Sequence, residues 1–405
     1  MRVITDSAAE KIILQRIYIA AYSLFILKYL FGASVIMPLP GIIDRLTNYV
    51  FMALILIKIA FQRYTVKQII GFTVILALCV YSSISARYMS PLLSLLLLVA
   101  LQDTDLRTVL KFGYRLKAII IIIHVVCYIA LIIFSPDSIT FLHRGGVERH
   151  SFLLTHPNLF TTIVVWTCLE YIYVNYDKLR VMHVVMIMLI NVVFFLYTDS
   201  RSGFYTLILV IALIVFDKLR FRPAAALTSS FARFGFGICS LLCIALTVVY
   251  TPALTGRIRD IWLLLNNMLT GRLLFGAYSY YTFGMTWLGR TLHTPAKVYY
   301  MGHWLDTVII DNSYQWLMLV YGSVFLAAIS AAFFFANKRF SNIEKIVVVG
   351  YIIFALMENY TVNVAVCFPL LLIGKCIFEQ SPAPGGQAER QQKVEIPLWK
   401  RKSAS

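Results

Sequence analysis

Charged residues are scarce in this chain. They make up 14% of its 405 residues, whereas a soluble globular chain carries about a quarter. Hydrophobic residues reach 60%, and repeated apolar runs approach the length needed to cross roughly 30 Å of hydrocarbon. These features exclude a soluble domain and predict an all-α, polytopic transmembrane protein.

Motifs of several enzyme classes are also missing. The sequence has no HExxH, GxSxG, Walker or GxGxxG pattern, so metalloprotease, serine-hydrolase and nucleotide-driven activities lack support. The seven cysteines form no CxxC or Cys/His cluster, which argues against disulfides and a structural zinc. The net charge of +17 is scattered over short loops, so nucleic acid is not an expected partner. We expect neither a metal nor a cofactor.

The apolar runs predict about twelve spans, with both ends of the chain on one side. The first run lacks a cleavage site of small residues, so we expect it to be retained and not to act as a signal peptide. Residues 1–379 are thus one membrane domain, and the Pro-, Gly- and Gln-rich segment 380–405 is a disordered cytoplasmic tail. The predicted spans are 12–37, 46–62, 68–85, 88–102, 116–135, 157–175, 181–198, 203–217, 234–251, 311–336, 343–358 and 362–379.

Lysine and arginine predict the orientation. The chain termini and the loops on their side carry 24 basic residues, and the opposite side carries 10, so the richer side is cytoplasmic. Nine of the ten outer residues are arginine, the side chain whose planar fork suits phosphate oxygens. Chance and contacts with outer-leaflet lipids are the alternative explanation.

Two outer segments are longer than turns: 135–156, and 252–310 between spans nine and ten. The second is partly apolar and is expected to form short amphipathic helices at the interface. Five of the seven histidines lie in these two segments, together with several acids. Ionisable groups at membrane depth are costly and often mark a functional pathway.

The outer turn TDSRSG joins spans seven and eight and contains Asp199 and Arg201. We expect Arg201 to face an outward cavity that it shares with Arg149, His156 and Arg272. A local ion pair that only closes the turn is the alternative. Likewise, THPN before span six could be a helix start, with Thr155 as the cap and Pro157 in the first helical position.

The order of these motifs resembles the Wzy-type polysaccharide polymerases and their relatives, the O-antigen ligases. The chain has HPN after a modest outer loop, T-x-SR-x-G between two spans, LTGR in a long outer loop, and DNSYQWLMLVYG opening the next span. The resemblance covers roughly residues 80–380. It implies a bacterial inner-membrane glycosyltransferase with both termini in the cytoplasm. Its substrate would be an undecaprenyl-pyrophosphate-linked oligosaccharide.

The resemblance also implies roles for individual residues. Arg201 and Arg272 match the family's arginines, although LTGR also ends at Arg257, and we add Arg149 as a third pyrophosphate ligand. Ligases carry a histidine near DNSY, where this chain offers only Asp311, Asp306 and His303, so the general base stays open. The full expected site comprises catalytic Asp311, His303 and His156, pyrophosphate-binding Arg201, Arg272 and Arg149, and orienting Asp199, Asn158 and Asn312.

The implied reaction moves a glycan from undecaprenyl pyrophosphate to a sugar hydroxyl of another lipid-linked unit. Arginines would neutralise the leaving pyrophosphate without a metal, a carboxylate or histidine would accept the hydroxyl proton, and the anomeric centre would invert. Tyr and Trp of the long loop would stack on sugars or form an interfacial belt. A chain-length regulator and a flippase are possible protein partners. The alternatives are a ligase using another acceptor and, from a different class, a lipid-linked oligosaccharide flippase, which predicts internal repeats that the sequence lacks.

Overall fold

The fold is almost entirely helical. In this computed structural model, the described residues are 8–144, 146–250, 256–269, 271–293, 297–300, 303–305 and 309–378, with only the backbone described for 8, 268, 303 and 305. The predicted tail at 380–405 lies outside these ranges. The α-helices are α1 (Ala8–Gly32), α2 (Gly41–Ala60), α3 (Val66–Ala86), α4 (Ser90–Val99), α5 (Leu106–Phe134), α6 (Pro157–Asn175), α7 (Val181–Thr198), α8 (Arg201–Lys218), α9 (Arg222–Val249), α10 (Arg257–Met268), α11 (Arg272–Phe283), α12 (Ser313–Trp316), α13 (Ser323–Ala336), α14 (Asn342–Ala355) and α15 (Pro369–Phe378).

Two short antiparallel hairpins interrupt the helices. Strand β1 (Leu142–Arg144) pairs with β2 (Val147–Arg149), with Leu142 opposite Arg149. Strand β3 (Val298–Tyr300) pairs with β4 (His303–Leu305), with Tyr300 opposite His303. Both hairpins lie in segments that the sequence predicts as outer loops.

Several helices have the length and surface of membrane spans. By length and composition, five described helices can cross a bilayer: α1, α3, α5, α7 and α9. Their outward faces are apolar: Leu189, Val193 and Leu196 of α7, for example, are 54%, 47% and 71% exposed. Apolar side chains facing outward over a whole helix suit a hydrocarbon environment. Each of the twelve predicted spans overlaps a helix, but α4 and α15 have only 10 residues each.

Two helices begin well before their predicted spans. Helix α5 begins at Leu106, and α9 begins at Arg222, so segments predicted as loops continue as helix. Asp105 caps α5 by accepting hydrogen bonds from the amides of Arg107 and Thr108. Lys117, whose charge we assigned to the cytoplasmic side, is therefore inside α5 and buried. The predicted starts of α5 and α9 were wrong because a span limited to bilayer length leaves out the amphipathic turns that extend the helix beyond it.

Predicted spans ten and twelve are broken helices. Span ten contains α12, a π-helical turn (Leu317–Tyr321) and α13, with a break at Gly322, which has φ 95°. Span twelve is helical only from Pro369, after an irregular segment at 356–368 whose side chains are largely buried. Non-helical backbone at this depth requires partners inside the protein. We call residues 356–368 the broken segment.

The described part of the long outer loop contains α10, α11 and the β3–β4 hairpin. Both helices are short, with 12 residues each. The chain after α11 pairs with the break in span ten, since Arg290 N donates to Val320 O and Ser323 N to Thr286 O. A Cβ on Gly322 would lie 2.4 Å from Trp287 O, so this close approach requires glycine there.

Contacts sort the helix termini into two ends of the bundle. At one end, Arg107 at the start of α5 pairs with Asp177 after α6, and Asn342 at the start of α14 donates to Asp217 near the end of α8. At the other end lie the start of α6, the α7–α8 turn, the start of α11 and the end of α14. The predicted functional residues described by the structure are at this second end.

Candidate functional site

The turn between α7 and α8 is built around Asp199. Helix α7 ends at Thr198, Asp199 adopts a left-handed conformation (φ 44°), and α8 begins at Arg201. Aspartate tolerates this region better than most residues. Its carboxylate lies 3.6 Å from Arg201 Nε and 3.8 Å from Arg144 Nη1. The predicted local pair therefore exists, but Asp199 serves two arginines, while the Arg201 side chain stays 59% exposed.

Arg149 occupies a more enclosed position than predicted. It is 4% exposed, its Nε donates to Thr198 O at 2.7 Å, and its Nη2 donates to Asn158 Oδ1 at 2.5 Å. Burial and the nearby Arg144 lower the pKa of Arg149 to about 10. These bonds tie β2 to the end of α7 and to α6, so a positioning role fits Arg149 better than the expected grip on pyrophosphate.

His156 is the N-cap of α6. Its Nδ1 accepts a hydrogen bond from the amide of Asn158 at 3.1 Å, and Pro157 is the first helical residue. The cap is thus His156, and not Thr155 as in the alternative that treats THPN only as a helix start. Burial, together with Arg149 and Arg144, lowers the pKa of His156 to about 4, so the imidazole is neutral at pH 7.

The two LTGR copies lie at the starts of different helices, and only one reaches the site. Arg272 begins α11, and its Nη2 lies 3.4 Å from Asp311 Oδ2 and 3.0 Å from Met357 O. Arg257 begins α10 and is exposed. Burial raises the pKa of Asp311, while Arg272 and Arg144 oppose that shift. The geometry favours Arg272 over Arg257.

Asn312 is a structural clamp. Its Oδ1 accepts from the amides of Tyr314 and Gln315, so it caps α12, and its Nδ2 donates to Leu356 O at 3.0 Å. Asp311 is thereby fixed beside the broken segment. The orienting role expected for Asn312 stays a prediction.

Glu358 also belongs to the site, although no motif in the sequence indicated it. This residue lies three positions beyond α14 and is 2% exposed. Its Oε1 accepts from Ser202 Oγ at 2.6 Å and from Asn158 Nδ2 at 3.1 Å. Burial, reinforced by the negative charge of Asp311, raises the pKa of Glu358 to about 7. The signal was a carboxylate closing an apolar run, where an ionisable group is costly.

Arg144 is the second residue that gains importance. We predicted only that it lies on the outer side, but β1 places it next to Asp199, with a side chain 36% exposed. It also opposes the burial-driven rise in the pKa of both Asp311 and Glu358, so it lies within electrostatic reach of all three acids. The remaining candidate, His303, is in β4, but its side chain is outside the described set.

Taken together, the site is cationic. Four arginines (Arg144, Arg149, Arg201 and Arg272) surround three acids (Asp199, Asp311 and Glu358). Helices α6, α8 and α11 also begin here, and helix N-termini attract anions. In the described part of the chain, no group of three or more His, Cys, Asp or Glu side chains is arranged to hold a metal ion. An anion with several oxygens is the ligand that this arrangement suits.

Comparisons with protein-family models, curated proteins and solved structures find no match.

Proposed function

We propose that this chain is a polysaccharide polymerase that transfers a glycan from undecaprenyl pyrophosphate to a sugar hydroxyl of a second lipid-linked unit. The observation that carries the proposal is the cluster of Arg144, Arg201 and Arg272 at one end of a bundle of apolar helices. Two of these residues, Arg201 and Arg272, lie in the motifs that resemble those of the Wzy-type polymerases. The reaction class follows from what such a cluster can do to a lipid pyrophosphate.

The lipid part of the substrate would lie against the bundle. On α7, the exposed side chains of Leu189, Val193 and Leu196 form an apolar stripe that ends next to Asp199 and Arg201. A prenyl chain along such a stripe would leave its headgroup at the level of the arginines. An amphiphile thus suits the site, because its apolar chain matches the stripe on α7 and its charged headgroup matches the arginines.

The arginines would stabilise the leaving group. A pyrophosphate departs readily once its developing charge is neutralised, and charge-assisted bonds from guanidinium groups do this in a poorly solvated site. Arg201 and Arg144 are partly exposed, and both are oriented by ion pairs with Asp199. Arg272 is anchored by Asp311 and Met357 O. We assign pyrophosphate binding to Arg201, Arg272 and Arg144, with Arg149 as a positioning residue.

The cellular setting is part of the proposal. We place the chain in the bacterial inner membrane with the site on the outer face and both termini in the cytoplasm, following the excess of basic residues at the opposite end. Single cysteines at the exposed positions Ser138 and Lys338, in a cysteine-free background, test this. An impermeant maleimide should label position 138 in intact spheroplasts and position 338 only after lysis. The reverse pattern would overturn the orientation.

The function is tested with purified protein in nanodiscs. Undecaprenyl pyrophosphate should bind more tightly than undecaprenyl monophosphate, and Arg272→Ala should abolish that preference. The protein should also release undecaprenyl pyrophosphate from lipid-linked saccharides extracted from native-host cells that lack the gene, and should form polymer. Equal binding of the two lipids, or no release, would refute the proposal. Transfer of a single glycan to a different acceptor would indicate a ligase.

A further inference from the structure

Glu358 is held in one orientation by groups from distant parts of the chain. Ser202 from α8 and Asn158 from α6 both donate to Oε1. Among the described residues, none donates a hydrogen bond to the other oxygen, Oε2. Because Oε1 already accepts two bonds, Oε2 is the atom available for a further proton.

The backbone around Glu358 is fixed as firmly as its side chain. Ser313 Oγ donates to Glu358 O at 2.5 Å, and Arg272 donates to the preceding carbonyl, Met357 O. Asn359 Nδ2 donates to Ile310 O at 3.0 Å. The broken segment is therefore held beside residues 310–313, and Arg272 contacts both segments, through Asp311 and Met357.

The charges around Glu358 separate it from the other candidate bases. Burial raises the pKa of Asp311 as well, but its Oδ2 lies 3.4 Å from the guanidinium of Arg272, which opposes that rise and already engages this oxygen. His156 uses Nδ1 to accept from Asn158 N and is a weak base, since its pKa is lowered to about 4. Glu358 is buried, and its pKa is raised to about 7, near the value that general-base catalysis at neutral pH favours. The charged or titratable groups around it are Asp311, Arg272, Arg144, Arg149, Tyr360, Tyr29 and Cys367.

We propose that Glu358 is the catalytic base that takes the proton of the acceptor sugar hydroxyl, with Ser202 and Asn158 holding it in place. The inference rests on the proposed function. The acceptor oxygen forms a bond to the anomeric carbon, and the bond from that carbon to the pyrophosphate oxygen breaks. Its electron pair leaves on the pyrophosphate, which the arginines neutralise. The hydroxyl proton passes to Oε2 of Glu358.

The first test is Glu358→Gln, which keeps the shape but removes the basic oxygen. Transfer from extracted lipid-linked saccharides should fall about a hundredfold, and the Kd for undecaprenyl pyrophosphate should change by less than about twofold. The wild-type rate should decline as the pH falls below about 7, and this decline should be missing from the residual activity of the variant. Glu148→Gln, an exposed carboxylate on β2, is the matched control and should keep the wild-type rate.

The second test supplies a nucleophile that needs no base. Glu358→Ala with added azide should release undecaprenyl pyrophosphate and form a glycosyl azide, because azide attacks carbon without losing a proton. Melting curves and gel filtration of each variant establish that it is folded. Absence of the glycosyl azide with folded Glu358→Ala would overturn the inference, as would a Glu358→Gln variant that keeps more than a tenth of the wild-type rate. If Glu358→Gln loses pyrophosphate binding in parallel with transfer, Glu358 only positions the arginines.

These tests separate the inference from the proposed function. If wild-type protein neither prefers undecaprenyl pyrophosphate nor releases it, the function itself fails. If wild-type protein does both and Glu358→Gln does so equally well, the function stands and the base is another residue.

Discussion

Two of the regions of this bundle that hold buried charge are built differently. Inside the bundle, Lys117 of α5 and Glu170 of α6 are 2.6 Å apart and almost fully buried. At the end of the bundle, the cluster of Arg144, Arg201 and Arg272 outnumbers the acids that it contacts and reaches the surface. Asn158 and Glu170 are twelve residues apart on α6, about 18 Å along the helix axis.

The inner pair, Lys117 and Glu170, is enclosed by protein groups. Tyr22 lies 3.4 Å from Glu170 Oε1 and also donates to Val364 O, and Lys117 donates to Val366 O. One cation thus matches one anion, and the spare donors hold carbonyls of the broken segment. A balanced, enclosed pair of this kind supports structure, whereas an open site with excess positive charge has capacity left for a ligand. Variants in each region test whether the inner pair supports structure and the outer arginines support function.

The largest expected effect is on the inner pair. Lys117→Met leaves the carboxylate of Glu170 buried without its cation, so we expect a loss of about 3–5 kcal/mol in the free energy of unfolding. Thermal denaturation and the yield of monodisperse protein on gel filtration measure it. The exposed Lys111→Met, on the same helix, is the control, and the double variant Lys117→Met/Glu170→Met should recover most of the stability. A stable single variant would show that the pair is dispensable.

The outer arginines should affect rate and not folding. Arg201→Lys replaces a planar fork with one mobile charge, so we expect a loss of about 3 kcal/mol in transition-state stabilisation, about a hundredfold in rate. Polymer amount and length, with the protein level in the membrane, are the measurements. Arg257→Lys, at the start of the exposed LTGR helix, is the control and should have no effect. If Arg201→Lys makes normal polymer, the ion pair only closes the turn.

Glu358 should make stability depend on pH. Its pKa is about 7 when folded, above the ordinary 4.5, so the folded protein holds this proton more strongly than the unfolded chain. The contribution is full below pH about 4.5 and is lost as the pH rises through about 7, a change of about 3 kcal/mol. Glu358→Gln should therefore gain stability relative to wild type between pH 5 and pH 8 in melting experiments. A constant difference would show that the carboxyl group titrates normally.

A smaller effect is expected at Asp199. Asp199→Asn removes the carboxylate that orients Arg201 and Arg144 but leaves both positive charges in place. We therefore expect a loss of about tenfold in polymer formation, about 1.4 kcal/mol. The same assay with Asp137→Asn, an exposed acid before β1, provides the comparison. A loss as large as that of Arg201→Lys would mean that the turn itself depends on the charge.

The smallest expected effect is that of chelation. If the arginines supply the positive charge that stabilises the leaving pyrophosphate, EDTA should leave transfer from lipid-linked saccharides within about twofold of the untreated rate. Loss of activity that a divalent ion restores would show that the arginines are not the main stabilisers.

The helices were predictable from sequence because each depends on a local pattern. Apolar runs and Pro157 fix where helices form regardless of their neighbours, whereas the cap at Asp105, which starts α5 earlier than predicted, was missed. The breaks were not predictable. Gly322 and the broken segment interrupt runs that read as continuous spans, since what permits them is a set of partners elsewhere: Tyr22, Ser94 and Lys117 bond to carbonyls of residues 362–366.

The sequence by itself determined a helical, apolar chain with arginines and acids at the ends of its apolar runs, because composition and periodicity act residue by residue. It also identified Arg201, Arg272 and Asp311 as candidates. Only the tertiary structure decided that Arg149 is enclosed, that Arg272 and not Arg257 reaches Asp311, and that Glu358 belongs to the site. The contacts of Glu358 with Ser202 and Asn158 span 156 and 200 residues. No local pattern encodes contacts at that separation, since they exist only once several helices have packed together.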